Sequence, residues 1–344
     1  MKSSIKVAAL VAVGLCLPSV ASARSQIRIV GSSTVYPFAT AVAERLTRGN
    51  PNMQPPVIES TGTGAGMKLF CSGVGERFPD ISNASRRIKG SEVKLCAQNG
   101  VKEITEIQVG IDGIAFATAK STPISGVTLR DVYSALAKTP WGKPNKAKTW
   151  KDVNPKLPAI KIQVYGPPPT SGTRDAFNEL IMTAGCETNP AMSALKKSDE
   201  ARHKSVCTGL REDGAFIEAG ENDNLIVQKL EANPGTMGIF GYSYLEENSA
   251  QLKGIAINGV EPTYQSISAF KYPGARPLYI YVKNAHVRAI PAIKGFVGEF
   301  SKETTWGPKG YLVRRGMIAA PDAIRAKSAA AARAFTPLNP AEIK

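Results

Sequence analysis

From Gln26 onward, short apolar runs alternate with segments whose apolar residues recur every three to four positions. That is the signature of strands alternating with amphipathic helices, and of an α/β protein with covered sheets. Strands are predicted over Gln26 to Val30, Val57 to Glu59, Lys161 to Tyr165 and Gly238 to Tyr242. Helices are predicted over Thr34 to Leu46, Gly66 to Ser72, Thr128 to Leu136, Arg174 to Thr183 and Asn224 to Ala232. Phe177, Leu180 and Ile181 fall on the inner face of the fourth of these helices, and the alanine-rich run Lys327 to Ala334 reads as a further helix. Two stretches differ from the rest. Ile107 to Thr118 is long and apolar, and Pro277 to Val282 is strongly β-prone near the other end of the chain. Both suit strands that pass between two lobes.

The first residues carry an address. Lys2 and Lys6 precede an apolar run from Val7 to Val20, and Ala21-Ser22-Ala23 supplies the small residues of a cleavage site. A secretory signal over residues 1–23, cut after Ala23, is expected, with a periplasmic mature protein. Cys16 lies within the apolar run, but bulky Leu15 before it does not suit lipid attachment. No apolar run approaches the ~20 residues that span a bilayer.

The 344 residues include 43 Lys and Arg against 28 Asp and Glu, a net charge of +15 that becomes +13 once Lys2 and Lys6 are removed. Such an excess suits nucleic acid, an anionic surface or a small anion. The densest basic cluster, Lys143, Lys146, Lys148 and Lys151, has only Trp141 and Trp150 beside it and is broken by Pro144. That is no stacking track for bases, so the cluster reads as a solvated loop and no nucleic-acid partner is expected. Four cysteines remain after Cys16: Cys71, Cys96, Cys186 and Cys207. An even count in an exported chain reads as disulfides, with the local pairing Cys71 to Cys96 and Cys186 to Cys207 favoured. Without a Cys-x-x-Cys, and with His203 and His286 as the two histidines, no metal site or cofactor is expected.

Three segments share one design, in which a strand ends, a run of Gly, Ser and Thr follows, and a helix begins. They are Gly31 to Thr34, Ser60 to Gly66 and Thr170 to Asp175. A helix start presents unpaired N–H groups and about half a positive charge, glycine allows close approach, and hydroxyls add donors without adding charge. Taken singly, each is an ordinary N-cap. Together they describe capture of a tetrahedral oxyanion. A fourth run, Asp80 to Arg87, offers Arg86 as a two-pronged donor with Ser85 beside it. Arg174 either faces the ligand or pairs with an acid such as Glu179 on the helix surface, the latter or an indirect role being favoured.

The runs Gly31 to Pro37, Thr61 to Phe70, Asp80 to Arg86, Ile111 to Phe116, Ser171 to Phe177 and Pro234 to Tyr242 occur in an order that resembles the PstS-like family, the substrate-binding protein of the bacterial phosphate ABC transporter. The resemblance implies a type II periplasmic binding fold, two α/β lobes joined by two crossover strands. Lobe I would hold residues 24–118 and 277–344, and lobe II residues 119–276. It implies a monomer that binds inorganic phosphate in the interlobe cleft and passes it to a membrane permease. Carried over residue by residue, the ligand set is Ser33, Thr34 and the Val35 N–H, then Thr63, Ser85 with Arg86, and Ser171, Gly172 and Thr173. Asp80, Arg174 and Asp175 would stand behind them.

Two departures matter. Many members carry an arginine four residues before the serine of Ser-Gly-Thr, where this chain has Pro167, which leaves Arg86 to supply the guanidinium. Some members place an aspartate where Arg86 stands. A carboxylate that accepts the phosphate proton would favour phosphate over sulfate, and Asp80 and Asp175 are the remaining candidates, although Asp80 equally suits a structural cap because short acids favour such local bonds. Receptors for sulfate, molybdate or tungstate are therefore the nearest alternatives. A secreted phosphatase is a more distant one, because two scattered histidines supply neither a metal cluster nor a nucleophile with its base.

Overall fold

The computed structural model describes residues 26–50, 52–169, 171–220 and 223–343. The expected signal segment with its Ala23 cleavage site, Cys16 and Thr170 lie outside the described residues. Nine strands form one continuous sheet in the order β2-β1-β3-β11-β4-β8-β6-β7, with β9 also paired to β4. They are β1 (Arg28–Gly31), β2 (Val57–Ser60), β3 (Ile81–Ala84), β4 (Ile104–Ala119), β6 (Val164–Gly166), β7 (Phe216–Glu218), β8 (Met237–Gly241), β9 (Leu252–Gly254) and β11 (Ala275–Lys283). The short strands β5 (Gly126–Val127) and β10 (Ala256–Ile257) pair apart from it.

β4 holds the two lobes together. Its 16 residues span about 50 Å when extended. Ile104 to Gly113 runs antiparallel to β11, and Ile114 to Thr118 runs antiparallel to β8. The predicted passing strands are thus both present, each two to three residues longer at its start than the β-prone pattern suggested. In lobe I, β1 lies between β2 and β3 and is parallel to both; in lobe II, β6 is parallel to β7 and β8.

Apolar packing follows the same division. Ile29, Val42, Ile81, Ile107, Val282, Phe296 and Trp306 belong to one core, and Ile114, Phe116, Trp150, Val164, Phe177 and Phe240 to another. A smaller core joins Met67, Phe70, Tyr281 and the Cys71 and Cys96 pair. Both favoured cysteine pairs stand at bonding distance, Cys71 to Cys96 with S–S 1.97 Å and Cys186 to Cys207 with 2.06 Å. Lys143, Lys146, Lys148 and Lys151 are all exposed, the last on the short helix Trp150–Val153 rather than on a loop, whereas Trp150 is fully buried in the lobe II core.

Helix ends differ from the predicted bounds for local reasons. Thr128 accepts the Asp131 N–H and Asp131 accepts the Thr128 N–H, so Leu129–Leu136 begins at a reciprocal cap. The second helix begins at Thr63 rather than Gly66 and ends at Phe70. The predicted Arg174 to Thr183 helix starts earlier, at Gly172, because Ser171 caps it, and it passes into a π-helical stretch over Phe177–Thr183. That change of period leaves Leu180 half-buried while Phe177 and Ile181 are buried. The C-terminal helix runs over Asp322–Ala334, longer than its alanine-rich part.

Candidate functional site

The parallel neighbours β1, β2 and β3 end side by side, so the loops after Gly31, Ser60 and Ala84 emerge at one edge. In open α/β sheets this carboxyl edge, where helices begin, is where ligands sit. The loop after Gly31 opens α1 (Tyr36–Gly49), and the loop after Ser60 opens α2 (Thr63–Phe70). From lobe II the loop after β6 leads through Pro167 to Ser171 and opens the helix at Gly172. Gly31 makes the first turn possible: its φ is +125°, and a Cβ there would lie 2.1 Å from the Asn83 carbonyl oxygen.

All four predicted segments meet. The Thr63 hydroxyl accepts the Ser85 N–H at 3.1 Å and stands 3.1 Å from the Ser85 hydroxyl, joining the second and third loops. The lobes touch through the first and fourth. Ser33 donates its hydroxyl to Asp175 Oδ2 at 2.5 Å, and the Thr34 hydroxyl donates to the Gly172 carbonyl at 3.1 Å. Gly172 lies so close to the first loop that a Cβ on it would fall 2.5 Å from Thr34 Cα. Ser171 Oγ accepts the Thr173 N–H at 3.2 Å, which caps the helix and leaves the hydroxyl hydrogen free to donate elsewhere. The Val35 N–H makes a long bond, 3.4 Å, to Ser32 Oγ.

Two cavities flank the lobe contact. One of about 430 Å³ is lined by Ser33, Thr63, Ser85, Arg86, Asp175 and Arg276. The other, about 510 Å³, is lined by Thr34, Asp112, Ser171, Gly172 and Thr173, among others.

Two of the predicted charged residues, Arg86 and Arg174, are placed differently from expectation, and Asp80 takes the structural role rather than the ligand role. Arg86 lines the first cavity, but Glu92 already holds its guanidinium in a two-pronged pair at 2.7 and 3.0 Å. Burial works against the Arg86 charge, yet the Glu92 hydrogen bond and charge outweigh it and raise the group above its usual value. Burial likewise pushes Glu92 up, but the Arg86 bond and the Lys89 N–H overcome this and hold its carboxyl below the usual range. Arg174 is not on the helix surface and its acid is not Glu179. It is buried, donates to the Pro167 carbonyl at 2.8 Å, stands over the Phe216 ring and lies 3.6 Å from Glu218. Burial lowers its pKa against the pull of Glu218 and Asp175. Asp80 lies at the opposite end of β3 from Ser85, where it accepts the Arg28 N–H at 2.7 Å and contacts His286 Nδ1 at 2.6 Å. It secures strand ends there, away from the cleft.

The pattern reading missed Arg276 and Asp112. Arg276 is 3% exposed at the start of β11, one residue before the β-prone run, and Asp112 sits inside the apolar middle of β4. Arg276 Nε donates to Asp112 Oδ2 at 3.2 Å, Nη1 to Glu179 at 3.3 Å, and Nη2 to the Gly172 carbonyl at 3.2 Å and to the Thr34 hydroxyl. Burial pushes the Asp112 carboxyl up, and the charge and hydrogen bond of Arg276, with the Gly113 N–H, offset this only in part. An acid embedded in the apolar stretch Val109 to Ala117 was the available signal.

Two α/β lobes strung on shared crossover strands, with hydroxyl-rich helix starts from both lobes brought to one cleft, define a substrate-binding protein of the type II periplasmic class. Comparison with known proteins narrows the class. Residues 18–303 match the model of the PBP superfamily domain. Protein SphX of Synechococcus elongatus is 37% identical over 279 residues, covering 77% of this chain and 72% of that protein. The phosphate-binding protein PstS of Staphylococcus saprophyticus is 30% identical over 276 residues, 78% of this chain and 73% of that one. The crystal structure of a possible phosphate binding protein from Planctomyces limnophilus superposes with a TM-score of 0.70 at 27% identity, covering 89% of this chain and 98% of its own. The chain belongs to the PBP superfamily and, within it, to the PstS and SphX family of binding proteins.

Proposed function

We propose that this protein is a periplasmic receptor that binds inorganic phosphate between its lobes, without transforming it, and delivers it to the permease of an ABC transporter. The observation that carries the reading is the meeting of loops from both lobes at one cleft, with Thr34 against Gly172 and Thr63 against Ser85. Amide and hydroxyl donors at helix starts hold a tetrahedral oxyanion by many hydrogen bonds at little cost in reorganisation. The names of the SphX and PstS relatives and the sequence resemblance point to the same ligand class.

The binding set is Ser33, Thr34, the Val35 N–H, Thr63, Ser85, Arg86, Ser171, Gly172 and Thr173, with Asp175 behind Ser33. Lobe I is taken as residues 24–118 and 277–344, and lobe II as 119–276. The ligand favours the closed arrangement because only there do donors from both lobes reach it. A signal segment over residues 1–23 would export the chain, where the two cysteine pairs stay oxidised and the receptor acts as a monomer.

Titration calorimetry of the phosphate-stripped protein tests the proposal. Phosphate is expected to bind in a one-to-one ratio and to outcompete sulfate. Thr63→Ala and Thr173→Ala are each expected to weaken it about tenfold or more, the scale of one lost hydrogen bond to a charged group. No heat with phosphate, or equal competition by sulfate, would overturn it.

A further inference from the structure

We infer that Arg276 supplies the guanidinium that meets the bound anion, and that Glu179 occupies it as a tethered competitor that the anion must displace. The inference rests on the oxyanion reading above and names two residues of that site outside the predicted set. Four arginines stand at or near the cleft, of which Arg315 lines only the cavity on the far side of the lobe contact, away from Thr63 and Ser85. Arg86 is engaged on both prongs by Glu92, and Arg174 is stacked over the Phe216 ring and donates to the Pro167 carbonyl. Arg276 differs from both. It lines the same cavity as Thr63, Ser85 and Arg86, while its Nη2 bonds Thr34 of the first loop and Gly172 of the fourth. One side chain therefore touches or faces all four ligand-holding segments.

Its two carboxylate partners are unequal. Asp112 is buried on the neighbouring crossover strand and takes Nε, so it fixes the plane of the guanidinium and stays with it. Glu179 reaches Nη1 at 3.3 Å from a side chain that is 50% exposed, a loose and solvated contact. With both acids in place the triad has a net negative charge, which opposes an incoming anion. When Glu179 swings into solvent, the triad becomes neutral and an N–H edge opens toward the cavity. An anion oxygen then replaces the carboxylate of Glu179 on Nη1, while Nε and Nη2 keep their bonds to Asp112, Thr34 and the Gly172 carbonyl.

The test is calorimetric titration with inorganic phosphate of the phosphate-stripped protein, its Arg276→Lys and Glu179→Gln variants, and the double variant. Arg276→Lys keeps a cation beside Asp112 but loses the fork, and binding is expected to weaken about tenfold or more. Glu179→Gln is expected to tighten binding about threefold at low salt, within the range of an exposed ion pair, and less as salt is added. In the double variant that gain should shrink, because Glu179 acts through Arg276. A gain in Glu179→Gln supports the inference even if Arg276→Lys fails to fold. Unchanged affinity in Glu179→Gln, wild-type binding by Arg276→Lys, or an equal gain in both backgrounds overturns it while leaving the phosphate reading intact. A wild type that takes up no phosphate overturns both.

Discussion

Arg86 and Glu92 show how a residue assigned to a ligand also carries structure. Their pair closes the third loop onto the helix Gly90–Gln98, and Glu92 additionally accepts the Lys89 N–H at 2.9 Å. Because the Glu92 carboxyl is held below its usual value, the folded state binds its proton less readily than the unfolded chain does. Its contribution is therefore complete above the ordinary carboxyl value of 4.5 and is lost as pH falls through the lower folded value. Thermal melts from pH 7 to pH 3 should show a steeper acid loss in the wild type than in Glu92→Gln. Parallel acid limbs would show that the pair contributes nothing. Arg86 was legible in the sequence because its neighbours Ser85 and Asp80 form a recognisable run. Its partner was not, since Glu92 reaches it only through the turn that the fold imposes.

At the scale of elements, the cysteine pairs tie helices that otherwise bury little. The helix Glu200–Thr208 has His203 and Cys207 as its buried residues, and Cys207 joins it to Cys186 at the end of the helical stretch that begins at Gly172. A link closing 21 residues restrains the unfolded chain by about 3 kcal/mol on the loop-entropy model. The paired change Cys186→Ser with Cys207→Ser should lower unfolding free energy by about 2–4 kcal/mol in denaturant titrations. A loss below about 0.5 kcal/mol would mean that the packing of this helix suffices alone. Amphipathic helices such as Tyr36–Gly49 were predicted to within a few residues by period. The helix Glu200–Thr208 was not, because its residues alternate charge and polarity with no apolar stripe. β3 was missed for a related reason: of Ile81 to Ala84, Ser82 and Asn83 are polar yet buried in the sheet.

For the whole molecule, closure depends on how nearly the lobes can approach. Gly172 against Thr34 leaves no room for a methyl group between backbones. Gly172→Ala is expected to hold the lobes apart, so that phosphate no longer reduces the radius of gyration in small-angle X-ray scattering and binding weakens about tenfold or more. A variant that compacts on phosphate as the wild type does would show that the contact is not what limits closure.

The linear chain determined by itself the alternation of strands and helices, the two passing strands, the favoured cysteine pairing and the three glycine and hydroxyl helix starts. Each is a local matter of period, spacing or turn chemistry, written within a few residues. Only the tertiary structure decided that Glu92 engages Arg86, that Arg174 turns inward over the Phe216 ring, that Asp80 serves His286 and the strand ends, and that Arg276 and Asp112 stand in the cleft. Those pairings join residues as far as 242 positions apart, as between Thr34 and Arg276. Charge partners at such separations are selected by the sheet register, which puts β11 beside β4, and no pattern along the chain encodes that adjacency.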